Sequence, residues 1–223
     1  MSERRAAQLI VLCTAVASLA CGHPEQRIVD QYFNALKAND NQTLTSFAMV
    51  AFDKKVDDWK ITGSVPETRS PAVLPDLAKK VAELDAELAA NKKAAGTYAN
   101  EHYSEIDKVK EIQKAGKSVP PGLAKVAEEW GKFNDKDRDL RKQVAEAKAA
   151  VEKEKRNVIL SVGQVDDVEK LTGEMIQKQV DLDLTVAGEA KPYTMMLRKY
   201  ELSGGSGSRM VSRWVVQDLK PKA

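Results

Sequence analysis

Histidine and cysteine are the scarcest chemistry-bearing residues in this chain, two of each in 223 residues. His23 and His102 have no companion at metal-ligand spacing, and no cluster of Cys, His or paired carboxylates accompanies them. A Gly-rich phosphate loop is also missing. Gly204, Gly205 and Gly207 alternate with serines, which is flexible-loop composition. No catalytic residue, metal site or cofactor is therefore predicted. An excess of charge of one sign is absent too: 35 Lys and Arg face 33 Asp and Glu. That balance argues against a nucleic-acid binder, which carries a basic excess on one face. It offers no electrostatic reason to lie on an anionic membrane surface. No apolar run reaches the roughly 20 residues that a membrane span needs.

What apolar run there is lies at the N-terminus. Met1 to Arg5 form a basic head, followed by Ala6 to Ala20, a short apolar stretch ending in small residues. This is the pattern of a secretory signal. Cys13 falls inside it, so the mature chain keeps Cys21 alone, and an exported domain with one cysteine has no internal disulfide. The stretch ends in Ser18-Leu19-Ala20-Cys21-Gly22, which resembles the lipobox of bacterial lipoproteins. The resemblance implies cleavage after residue 20, lipidation of Cys21 and a stable membrane anchor, since several acyl chains hold where one does not. Gly22, with no Asp in its place, fits an outer-membrane address facing the periplasm.

The middle of the chain is ruled by a three-four rhythm. Leu77, Val81, Leu84, Leu88, Ala95, Tyr98, Ile106 and Val109 mark one apolar seam. Leu123, Val126, Trp130, Phe133, Leu140, Val144, Ala147, Val151 and Val158 mark a second. Such spacing predicts two long helices in an antiparallel coiled-coil hairpin over 76–161, joined by a turn at Lys114–Gly122. Pro75 and Asp76 suit the start of the first arm, and Pro120-Pro121 can open the second. Each arm of about forty residues would be roughly 60 Å long.

The flanks read differently. Ile28, Val29, Tyr32, Phe33 and Leu36 form a helical stripe, broken at Asn39-Asp40-Asn41 and followed by a shorter helix around Leu44 and Phe47. Val56 to Val65 reads as a strand, and the proline-bearing segment Pro66 to Pro75 as a linker. Ile176, Val180, Leu182, Leu184 and Val186 alternate with polar residues, as in a half-buried antiparallel strand. Ala187 to Ala190 reads as a turn, Tyr193 to Leu202 as the returning strand, and Met210 to Leu219 as the last strand. The expected fold class is α+β: N-terminal helices on a curved antiparallel sheet, with the hairpin inserted between 21–65 and 163–220. The stripe Tyr32-Phe-Asn-Ala-Leu36 and the closing Trp214-Val-Val-Gln-Asp218 resemble the small envelope branch of the nuclear transport factor 2-like superfamily. That resemblance implies a helix-plus-curved-sheet domain in which the hairpin is an insertion after the first strand.

Two functional readings follow. One is a non-enzymatic cell-envelope lipoprotein whose hairpin is a spacer or partner-binding arm, with a tip at Val119, Pro120, Pro121 and Trp130. The other is a small-ligand-binding or catalytic module with an apolar pocket lined by Tyr32, Trp59 and Trp214. Asp57, Asp58, Asp181 and Asp183 read as solvated strand residues. Finally, aligning Leu88 with Val151, Tyr98 with Leu140 and Ile106 with Phe133 places His102 opposite Asp137. These two polar residues on opposing seams are predicted to pair and set the register, because an unpaired buried charge is costly.

Overall fold

Residues 25–204 and 210–222 are described by a computed structural model of the protein. The expected cleavage junction, Cys21 and His23 lie outside those residues, as does most of the Gly-Ser loop.

Among the described residues, five helices and five strands are laid out in chain order as α1 (Gln26–Lys37), α2 (Asn41–Phe47), β1 (Val56–Ser64), β2 (Thr68–Pro71), α3 (Leu74–Glu101), α4 (Tyr103–Lys114), α5 (Pro121–Val162), β3 (Thr172–Val186), β4 (Glu189–Ser203) and β5 (Val215–Pro221). A 3-10 turn, Val168–Lys170, precedes β3. The fold is α+β, with one open sheet. Its order is β1-β3-β4-β5, with β2 paired to the start of β3. The pairings of β1 and β2 with β3 and of β4 with β5 are antiparallel. The chain divides into two compact units. Among the described residues, one holds those from Glu25 to Pro71, Asn157–Asp166 and those from Gly173 on; the other holds Ala72–Arg156 and Asp167–Thr172.

In the first unit, α1 ends where Asn39 takes a left-handed φ of 53°, and Asp40 caps α2 by accepting from the Thr43 amide at 2.9 Å. The stripe of α1 buries Val29, Tyr32 and Phe33 against Val180, Leu182, Leu184, Met195, Leu197 and Val216 of the sheet. β3 follows period-two alternation from Ile176 to Leu184, as expected, but pairing extends it back to Thr172. Ala187 and Gly188, at φ 53° and 80°, make the two-residue turn into β4. The presumed linker contains β2. Arg69 and Ser70 stand opposite Ile176 and Met175, and Arg69 reaches Glu174 at 2.9 Å and Glu201 at 3.1 Å. Proline is tolerated because β2 is a four-residue strand that ends on Pro71. The last strand begins at Val215 and not at Met210. The residues before it are held by other bonds, described below.

In the second unit, α3 and α5 touch along opposite directions. Leu84 packs with Leu140 and Val144, joined by Leu88 and Ala147, while Asn91 Nδ2 donates to the Phe133 carbonyl at 3.1 Å. Lys136 meets Glu87 at 3.0 Å and Lys148 meets Asp85 at 3.0 Å. The first helical stretch is not continuous: His102, at φ −117° and ψ 26°, separates α3 from α4. Lys155 of α5 reaches Glu169 of the 3-10 turn at 2.5 Å.

Candidate functional site

Tyr32, Trp59 and Trp214 do not share one pocket. Tyr32 is fully buried, its ring edge-on to Phe33 at 5.2 Å, and its hydroxyl donates to the Val50 carbonyl at 3.1 Å. Burial pushes its phenol pKa up to about 12, with the nearby Asp218 charge adding to the shift. Trp59 stacks on Phe33 at 5.0 Å and donates its indole N–H to Asp30 Oδ1 at 2.8 Å. Lys37 Nζ sits 4.5 Å from the Trp59 ring centre and donates to the Asp57 carbonyl at 2.5 Å. Trp214 lies elsewhere on the same unit, half-buried, with Lys199 Nζ 4.5 Å above its ring. The space between α1 and the sheet, where the second of the two functional readings places a ligand, is filled by side chains that are 0–1 % exposed.

What remains open are surface depressions. A depression of ≈ 360 Å³ lies over Tyr32, Phe52, Tyr193 and Asp218. Another, of ≈ 390 Å³, is lined by Arg27, Ile28, Gln31, Phe47, Arg213 and Trp214. Its floor is well fixed. Arg213 donates from Nε to the Leu160 carbonyl at 2.7 Å and from a terminal nitrogen to the Ser46 carbonyl at 2.9 Å. The Arg213 amide donates to the Ser161 carbonyl at 2.9 Å, while Ser161 Oγ donates to the Arg213 carbonyl at 2.9 Å. Ser161 Oγ also accepts from the Tyr200 amide at 3.1 Å. These bonds hold Arg213 and Trp214 against the end of α5, which is why the segment before Val215 leaves the sheet.

The proposed tip is open: Pro120 and Pro121 are exposed and Val119 is half-buried. Trp130 lies half-buried, with Lys110 Nζ 5.4 Å from its ring centre. His102 and Asp137 are not brought together. His102 Nδ1 lies 2.6 Å from Glu105 Oε2, and its ring is 4.5 Å from that of Tyr98. Asp137 accepts from Arg141 Nε at 2.5 Å on its own helix. The register differs from the expected one as well, since Tyr98 approaches Phe133, at 5.5 Å, where Leu140 was expected.

Among the strand carboxylates, Asp181 is the most engaged. It accepts from Lys222 at 2.7 Å, Thr194 at 3.2 Å and Gln179 at 3.3 Å, and the Lys222 bond foremost holds its pKa below the usual range. Lys178 was not singled out from sequence. It stands between Ile176 and Val180 on the core side of β3, and it forms a buried ion pair with Glu25 at the head of α1. A charge at a period-two apolar position was the signal that pointed to it. No group of residues among those described is arranged to hold a metal ion, and no described helix is long and apolar enough to cross a membrane. No protein-family model, curated protein or solved structure matches this chain.

Proposed function

We propose that this chain is a membrane-anchored cell-envelope lipoprotein, lipidated at Cys21, that works by contact and not by catalysis. In this reading, α3, α4 and α5 are a helical hairpin inserted into an envelope domain like those of the nuclear transport factor 2-like superfamily. The hairpin is a spacer or partner-binding arm, and the protein sits on the outer membrane facing the periplasm. The observation that carries the reading is the filled interior of the α/β unit. Tyr32, Phe33, Leu182, Leu184, Met195 and Leu197 occupy the volume between α1 and the sheet that a buried ligand would need. The Leu19-Ala20-Cys21-Gly22 junction supplies the anchor.

Two measurements test the two halves of this proposal. Mass spectrometry of the native protein is expected to find a mature chain beginning at acylated Cys21; an unmodified N-terminus, or one at another residue, defeats the anchor. Affinity capture from envelope extract compares the full chain with a variant shortened across α3–α5. Retention of one defined partner by the full chain and not by the shortened one is expected. Identical capture by both would refute the arm.

A further inference from the structure

The depression beside Trp214 gathers charges that are far apart in sequence: Arg27 comes from the first turn of α1 and Arg213 from the segment before β5, while Lys199 of β4 sits over the Trp214 ring. No carboxylate lines that depression. Glu67, 4.0 Å from Lys199 Nζ, offsets part of one charge. Apolar and aromatic surface is interleaved with the cations. Trp214 is half-buried under Lys199, Ile28 lines the same depression, and Val211, two residues before Arg213, is 92 % exposed. An almost neutral chain thus presents two cations, Arg27 and Arg213, in one depression with Trp214, whose ring carries Lys199 on it.

We infer that this surface is the face the α/β unit lays on an anionic phospholipid bilayer. The inference rests on the proposed anchor at Cys21 for its placement. Glu25, buried to 2 % exposure and paired with Lys178, begins the described chain. Four residue steps from Cys21 to Glu25 span at most about 14 Å, and Arg27 and Ile28 follow within the next turn. The tether is therefore too short to let the start of α1 stand away from the headgroups. Trp214 has the amphipathic ring that settles at the headgroup level. Arg27 and Arg213 supply attraction to acidic lipid, each contributing about fivefold in partitioning. Val211 offers apolar area to the acyl boundary. The bonds from Arg213 to Leu160 and Ser46 fix the group in place without removing its charge.

The test separates this surface from the anchor by using the mature chain with Cys21→Ala, which cannot be acylated at that position. Its co-sedimentation is measured on vesicles of phosphatidylcholine, with and without phosphatidylglycerol. The expected result is salt-sensitive binding that requires phosphatidylglycerol and falls at least about fivefold in Arg27→Glu. Lys142→Glu, the same charge reversal at an exposed site on α5, is expected to leave it unchanged. Circular dichroism melts of both variants are compared with wild type, and matching midpoints are expected. Equal binding to the two vesicle types, no binding, or equal effects of the two reversals would overturn the inference; capture of a protein by Arg27 and Trp214 in envelope extract, with no lipid dependence, would assign the surface to a protein partner instead. Loss of acylation in the native protein, read by mass spectrometry, would strike the anchor and leave this result standing.

Discussion

At the scale of single residues, close approach and charge decide more than composition. Gly173 has φ 144°, and a Cβ there would meet the Glu201 carbonyl oxygen at 2.1 Å. Neither the backbone angle nor the contact leaves room for a side chain. Gly173→Ala is expected to destabilise the protein by about 3 kcal/mol, read as a lower urea midpoint at unchanged slope. Asp181 is the residue at which pH is expected to act. Its folded pKa is held below the unfolded value of about 3.9 by Lys222, Gln179 and Thr194. The stabilisation is therefore complete above that unfolded value and is lost as pH falls through the folded one. In melts from neutral to strongly acidic pH, the advantage of wild type over Asp181→Asn is expected to vanish at the acid end. An advantage that persists undiminished there would mean that the bond's charge is irrelevant. Tyr32, pushed up to about 12, stays protonated throughout.

At the scale of elements, register is the instructive case. A seam that repeats every seven residues looks the same after a slip of one heptad, so periodicity fits several alignments equally well. The contacts that form, Leu84 with Leu140 and Asn91 with Phe133, join residues at unequal distances from the connection between Lys114 and Pro121, so the position of the turn does not give the register either. The break at His102 then gives that side chain a partner on its own turn, Glu105. His102→Ala and Asp137→Ala are accordingly expected to be additive in stability within about 0.5 kcal/mol, whereas His102→Ala and Glu105→Ala are not. A large coupling in the first cycle would restore the predicted register. β2 was hidden for a different reason. Thr68–Pro71 has no alternation of its own and owes its pairing to the length of β3, which reaches back beyond the portion paired with β1.

At the scale of the whole molecule, the proposal turns on a short tether and a filled core. If Cys21 carries the anchor, the backbone near Gln26 lies within about 18 Å of it. Protease cleavage near Gln26 is expected to be slower in native membranes than in the soluble Cys21→Ala protein, beyond the protection its helix provides in both. Equal rates would mean that the α/β unit is not held at the surface. The balanced total charge remains a sound argument about nucleic acid, since that reading depends on an overall basic excess. Total charge does not bear on the inferred membrane face, because attraction at a surface depends on which charges lie together, and Arg27 and Arg213 line one depression only after folding.

The sequence by itself determined the α+β class, the helical stripe of α1, the long helices of the middle segment, the strand alternation of β3 and the Ala187-Gly188 turn. Each rests on interactions between residues a few positions apart, which periodicity and turn chemistry record directly. Lys178 was legible in the same way, as a charge at an apolar position, although its partner Glu25 was not. Tertiary structure alone decided the helix register, the pairing of β2, the late start of β5, the separation of Tyr32, Trp59 and Trp214, and the gathering of cations around Trp214. Those depend on contacts between distant segments, whose geometry is set by packing and by competing hydrogen bonds such as those of Ser161 and Arg213. No local pattern carries that information, because the same side chains suit either arrangement until the chain has closed.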